Sequence, residues 1–169
     1  MKFAPQLVTL RGGAAAGLLS ASLFAAAQTA APPPPYGLSI NIEQAKKAMV
    51  AAEAEARKNN WQVVIAIVDT GGHLVMLQRL EAQNASVDIA TGKARTAVNF
   101  RRPTKALEDS LAAGGSALRI LAVPGVMPLQ GGLPIVVDGK IIGGIGVSGV
   151  TAPQDEVVAK AGVDLLAAK

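Results

Sequence analysis

Residues 63–97 read VVIAIVDTGGHLVMLQRLEAQNASVDIATGKARTA, and the first half of this stretch decides the fold. Two apolar runs, 63–68 and 74–77, flank Asp69-Thr70-Gly71-Gly72. Glycine reaches positive φ without a Cβ clash, so Asp-x-Gly-Gly between β-branched runs predicts an antiparallel hairpin. Strands are expected over 62–69 and 73–79. Asp69, with no second acid fixed beside it by spacing, reads as a turn residue whose carboxylate bonds its own downstream amides. After Arg79 a polar stretch leads into an alanine-rich helix, expected over 86–100 with Ser86 as N-cap, that presents Lys93, Arg95 and Thr96.

Working outward, residues 42–58 predict an amphipathic helix. Ala45, Ala48, Met49, Ala52 and Ala56 recur at three- and four-residue spacing, Asn41 serves as N-cap, and Asn59-Asn60 ends it. A shorter helix is expected over 104–113, capped by Thr104 and stopped by Gly114-Gly115. A short strand follows over 116–121, then a loop over 124–132. Residues 133–137 and 140–147 flank Asp138-Gly139, a strong hairpin dipeptide. A closing helix is expected over 155–168, burying Val157, Val158, Ala161 and Leu165. Hairpins rather than crossovers join the strand pairs, so the fold class is α/β of the α+β kind, an antiparallel sheet of about five strands flanked by helices.

The first forty residues stand apart. Lys2 and Arg11 form a basic start, residues 14–27 are apolar and small, and Ala25-Ala26-Ala27 makes an A-x-A cleavage site. Residues 1–27 therefore read as a secretory signal, 28–39 as a stiff proline-rich linker, and 40–169 as one domain. The expected location is periplasmic or secreted. The whole chain carries 16 Lys and Arg against 12 Asp and Glu, and loss of Lys2 and Arg11 leaves 14 against 12. With no basic stripe interleaved with aromatics, nucleic-acid binding is not expected. With no cysteine, thiol catalysis and Cys-ligated metal are excluded.

The pattern Gly143-Gly144-x-Gly146-x-x-Gly149 is not a dinucleotide fingerprint, because the glycines lie inside a strand-like run and the next helix starts late. Glycines so placed mark a bulge or the close approach of another backbone or a ligand. Ser148 lacks the second flanking glycine of a nucleophile elbow, and His73 is the sole histidine.

Two blocks carry a family resemblance. Val68, Asp69, Gly72, Leu74 and Arg79, followed by Lys93, Ala94, Thr96 and Ala97, resemble the strand pair and K-A-x-T-A helix of the GlcG/HbpS family, also called the haem-degrading or PduO C-terminal-like domain. The second block is 131–149, GGLPIVVDGKIIGGIGVSG. The resemblance spans about residues 40–168 and implies a profilin-like sandwich. It also implies a small-molecule-binding protein whose ligand is haem or a related tetrapyrrole. Lys93 and Thr96, at i and i+3, share a helix face and would meet the ligand. Otherwise Thr96 bonds back to a helical carbonyl and Lys93 is solvated. Arg79 would pair a propionate or carboxylate, or else lie on the surface paired to Glu81. His73 offers the strongest iron donor by chemistry, or else is an exposed histidine beside a turn, and the family motif varies at that position. Met127, in the proline-flanked loop, is a further axial candidate. The resemblance also implies a homo-oligomer, a membrane sensor as partner, and, as an alternative, a haem-degrading or small-acid enzyme.

Overall fold

The structure, a computed structural model, describes residues 32–167. The expected secretory signal, 1–27, and the start of the linker lie outside the described residues. The elements are α1 (Ile42–Lys58), β1 (Val64–Val68), β2 (Leu74–Arg79), α2 (Ser86–Asn99), α3 (Thr104–Ala112), a 3-10 helix (Gly115–Ala122), β3 (Gly132–Val137), β4 (Lys140–Ser148) and α4 (Ala152–Ala167). The strands form one antiparallel sheet in the order β2-β1-β4-β3.

Alternation along β1 sorts the layers. Val63, Ile65 and Ile67 enter a core built with α1 and α4, whereas Val64, Ala66 and Val68 face α2 on the opposite side. All six are fully buried, which accounts for the unbroken apolar run of the central strand. α1 starts on the expected Asn41, whose side chain accepts the Gln44 N–H at 2.9 Å while Gln44 returns a bond to the Asn41 N–H at 3.1 Å.

The glycines of β4 permit the other layer. A Cβ on Gly146 would stand 2.1 Å from the Ala90 carbonyl oxygen, and one on Gly144 would stand 2.7 Å from that of Ala94. α2 therefore lies with its backbone almost directly on β4. This is the close approach read from the sequence, not a phosphate loop.

The sheet has four strands, not five. Residues 116–121, expected as a strand, belong to the 3-10 helix, in which no residue is buried. Gly114 and Gly115 hold φ of 73° and 63°, which coil the chain back on the end of α3 before it can reach a sheet edge. Leu118 and Leu121 stay exposed there.

Two caps also differ. Ala85, not Ser86, precedes α2, and Ser86 is buried against Ser148 at 3.3 Å. Thr104 is likewise spent elsewhere, its hydroxyl accepting the Gly132 N–H at 2.9 Å.

α4 begins three residues before its expected start, because Pro153 is tolerated in a first turn where its missing N–H costs nothing. Its buried face is Asp155, Val158, Ala159 and Gly162, while Val157 and Leu165 remain about half exposed. Gly162 seats against the Ala48 carbonyl of α1, so close helix–helix approach selects the small-residue face over the bulkier one.

The proline-rich segment is partly structural. The Ile141 N–H donates to the Pro35 carbonyl at 2.8 Å, the Gly37 N–H to the Ile141 carbonyl at 2.8 Å, and the Ile40 N–H to the Ile142 carbonyl at 2.6 Å. Residues 35–40 thus run beside β4 where β1 has ended.

Candidate functional site

The sequence candidates fall in three places. Lys93 and Thr96 do share one face of α2, and that face is turned into the protein. The Lys93 ammonium donates to the Val147 carbonyl and to Asp155 Oδ2, both at 2.8 Å, with each side chain of the pair only 3% exposed. Asp155 Oδ1 also accepts the Val150 N–H at 3.2 Å. Burial pushes the Asp155 carboxyl above its ordinary range, outweighing the pull of Lys93 and of the Val150 and Gly149 amides. Thr96 accepts the Met127 N–H at 2.8 Å, so its hydroxyl anchors the 124–132 loop rather than a helical carbonyl. The Met127 side chain fills the space over Gly92. These groups lock loop, sheet and helices together, and their hydrogen-bonding capacity is used internally.

His73 stands at the tip of the β1–β2 hairpin. Asp69 Oδ1 accepts the N–H groups of Gly71 at 2.8 Å and His73 at 2.9 Å, the turn role read from the sequence. These backbone donors, the His73 amide foremost, hold the Asp69 carboxyl below its ordinary range. The same oxygen lies 3.4 Å from His73 Nδ1, while the imidazole is 83% exposed. Nδ1 thus faces a carboxylate and Nε2 is left as the outward nitrogen.

Two neighbouring segments, residues 36–39 and α2, brace this tip. Ser39 and Thr70 hydroxyls meet at 2.6 Å, and Arg95 Nε donates to the Gly72 carbonyl at 3.1 Å. The Tyr36 hydroxyl donates to the Val98 carbonyl at 2.9 Å, with the Arg101 guanidinium 5.8 Å from the centre of its ring. Exposed apolar groups flank the histidine along the chain: Leu74 beside it, and Tyr36 and Leu38, the latter 90% exposed, around the bracing Ser39. A histidine and exposed apolar surface thus lie on hydrogen-bonded neighbouring segments, with Arg95 tied to the hairpin at Gly72 and Arg101 beside Tyr36. Tyr36, Leu38 and Ser39 were hidden in the apparent linker. The proline run masks them, and the only local signal is an aromatic and a leucine at its end.

Arg79 lies at the opposite end of β2 from His73, about 20 Å away at ~3.3 Å per strand residue. Rather than pairing with Glu81, it donates from Nε to the Ala82 carbonyl at 2.8 Å and from Nη2 to Asn84 Oδ1 at 2.9 Å. It borders a cleft of about 470 Å³ that also includes Arg57, Trp61 and Glu81. Among the described residues no group of three or more His, Cys, Asp or Glu is placed to hold a metal ion, and no helix is long and apolar enough to cross a membrane.

A family model described as haem degrading protein HbpS-like matches residues 40–164. The chain belongs to the HbpS-like family. It is 46% identical over 108 residues to Protein GlcG of Escherichia coli K12, covering 63% of this chain and 79% of GlcG. Among solved structures it is similar to a double mutant of HbpS from Streptomyces reticuli, with 32% identity, a TM-score of 0.71, and 96% and 98% of the two chains covered. It is also similar to PduOC in its complex with haem, with 28% identity, a TM-score of 0.70, and coverage of 76% and 95%. The HbpS-like sheet and helices are those described above.

Proposed function

We propose that this HbpS-like chain is an exported protein that binds haem at the β1–β2 hairpin tip, with His73 Nε2 as the axial donor. The carrying observation is the exposed imidazole whose other nitrogen faces Asp69. Histidines that ligate metals characteristically present the second ring nitrogen to a carboxylate, which orients the ring and raises its basicity. The residues present fit the group. Leu38, Leu74 and Tyr36 offer apolar surface to a macrocycle, and Arg95 and Arg101 offer guanidinium groups to propionates. The chemistry such a group supplies when bound is iron-centred ligand exchange and electron transfer. Within the chain, Asp69 holds the imidazole, Arg95 ties the tip to α2, and Ser39 steadies Thr70. Haem bound in the PduOC structure supports the ligand class. The order of basic, apolar and A-x-A segments in 1–27 supports export, and cell fractionation with N-terminal sequencing of the mature protein tests it.

The binding test is titration of the purified chain with haemin, followed by the Soret band. A saturable shift is expected, lost in His73→Ala and weakened by about 10–100-fold in Asp69→Asn, the usual range for loss of a partner to a metal ligand. An unchanged affinity and spectrum in His73→Ala would refute the assignment.

A further inference from the structure

The cleft beyond the far end of β2 is separate from the hairpin tip, and nothing in the haem reading uses it. Two turns form it, the exit of α1 and the exit of β2. They are drawn together where the Leu80 N–H donates to the Val63 carbonyl at 2.8 Å, and the Trp61 N–H closes the exit of α1 on the Ala56 carbonyl at 2.9 Å. Each turn keeps a non-glycine residue in the left-handed region: Asn60 at φ 57° and Glu81 at φ 54°. Asparagine enters that region readily, but glutamate does so at a steric cost, and such cost is retained where surrounding structure demands the shape. Both residues line the same cleft, whose volume of about 470 Å³ falls within the ordinary span for small-ligand sites.

The two guanidinium groups on its wall differ. Arg57 is neutralised by Glu53, with Nε 2.7 Å from Oε1. Arg79 is fixed just as firmly, but its hydrogen bonds end on the Ala82 carbonyl and the Asn84 amide oxygen, and neither offsets its charge. A guanidinium already held in direction, with charge uncompensated by those partners and Nη1 outside these bonds, is preorganised for an anion. Beside it stands Trp61, half-buried, with a flat apolar ring. Glu81 on the lip opposes a second negative charge, which disfavours phosphate esters and dicarboxylates. We infer that the cleft binds a small planar monocarboxylate, with its carboxylate on Arg79 and its ring against Trp61.

Trp61 is the sole tryptophan of the chain, so its emission reports this cleft alone. The experiment titrates the purified chain with benzoate and, separately, with its uncharged isostere benzamide. Saturable quenching by benzoate is expected, with benzamide at least about tenfold weaker, because a charge-assisted pair is lost. Arg79→Gln should bring benzoate down to the benzamide level. Arg79→Lys, which keeps the charge without the planar fork, should fall between, and Glu81→Gln should bind benzoate at least as tightly as wild type. His73→Ala should retain the benzoate affinity, so failure of this site and failure of the haem site are read separately. Equal quenching by benzoate and benzamide in the wild-type chain, no saturable quenching by either, or an unaltered benzoate affinity in Arg79→Gln would overturn the inference. The wild-type comparison stands even if a variant fails to fold.

Discussion

Lys93→Met removes the cation facing Asp155 and leaves a carboxylate that is 3% exposed. The remaining Val150 and Gly149 amides satisfy part of it, but burial already raises its proton affinity with Lys93 present. Breaking a buried pair from one side costs about 3–5 kcal/mol, most of it the penalty of the stranded charge. For the roughly 135 described residues, an unfolding entropy of ~2.1 cal/mol/K per residue gives about 0.28 kcal/mol/K, so the melting temperature should fall by about 11–18 °C. Adding Asp155→Asn removes the buried charge while its amide oxygen can still accept the Val150 N–H. The double variant should therefore recover more than half of the loss. Urea unfolding followed by far-UV circular dichroism on wild type, both single variants and the double completes the cycle. A loss below about 1 kcal/mol in Lys93→Met, or a double variant no better than that single, would refute the reasoning, since a stranded charge predicts the opposite.

Gly146→Ala should destabilise by about 3 kcal/mol or more, because the new methyl meets the Ala90 carbonyl at 2.1 Å and backbone cannot yield cheaply. Gly139→Ala, at φ +73° with nothing within 4 Å of the new Cβ, should cost only about 1–2 kcal/mol. Paired thermal melts compare the two, and equal losses would contradict the account of the α2–β4 contact. Asp69 has a folded-state pKa below the ordinary 3.8, so its contribution is present above that value and is lost as pH falls through the folded one. The stability difference between wild type and Asp69→Asn should accordingly shrink as pH is lowered below about 4, measured by urea midpoints across an acid series. A difference that stays constant would mean that the amides of Gly71 and His73 do not favour the charged form.

The local grammar of this fold is legible where neighbours in sequence are also neighbours in space. Asn41 with Gln44 closes its capping box within four residues, and the Asp69 turn is settled by amides two and four positions on. The face of helix α4 is misread because a distant partner chooses it, Gly162 meeting Ala48. The 116–121 segment is misread for a local reason, since two positive-φ glycines just before it divert an apolar stretch that has strand composition. The site shows the same division. Helical spacing brings Lys93 and Thr96 together, but Asp155 lies 62 positions from Lys93 and Met127 lies 31 from Thr96. No local pattern reveals whether that shared face looks outward or inward. His73, judged by its flanking residues alone, reveals nothing of the carboxylate beside Nδ1.

Residues 35–40 make the limit of the matched family model differ from the limit of the compact body. The family match begins at residue 40, whereas the compact body begins at Pro32. A chain begun at residue 40 would keep every named strand and helix yet lose Ser39 from Thr70 and Tyr36 from the end of α2. Such a shortened chain would melt as a folded protein while presenting His73 on a turn still tied to α2 by Arg95 but released from Ser39. Length variants that agree in stability and part in haem affinity would then mark these few residues as a brace of the hairpin tip more than of the sheet.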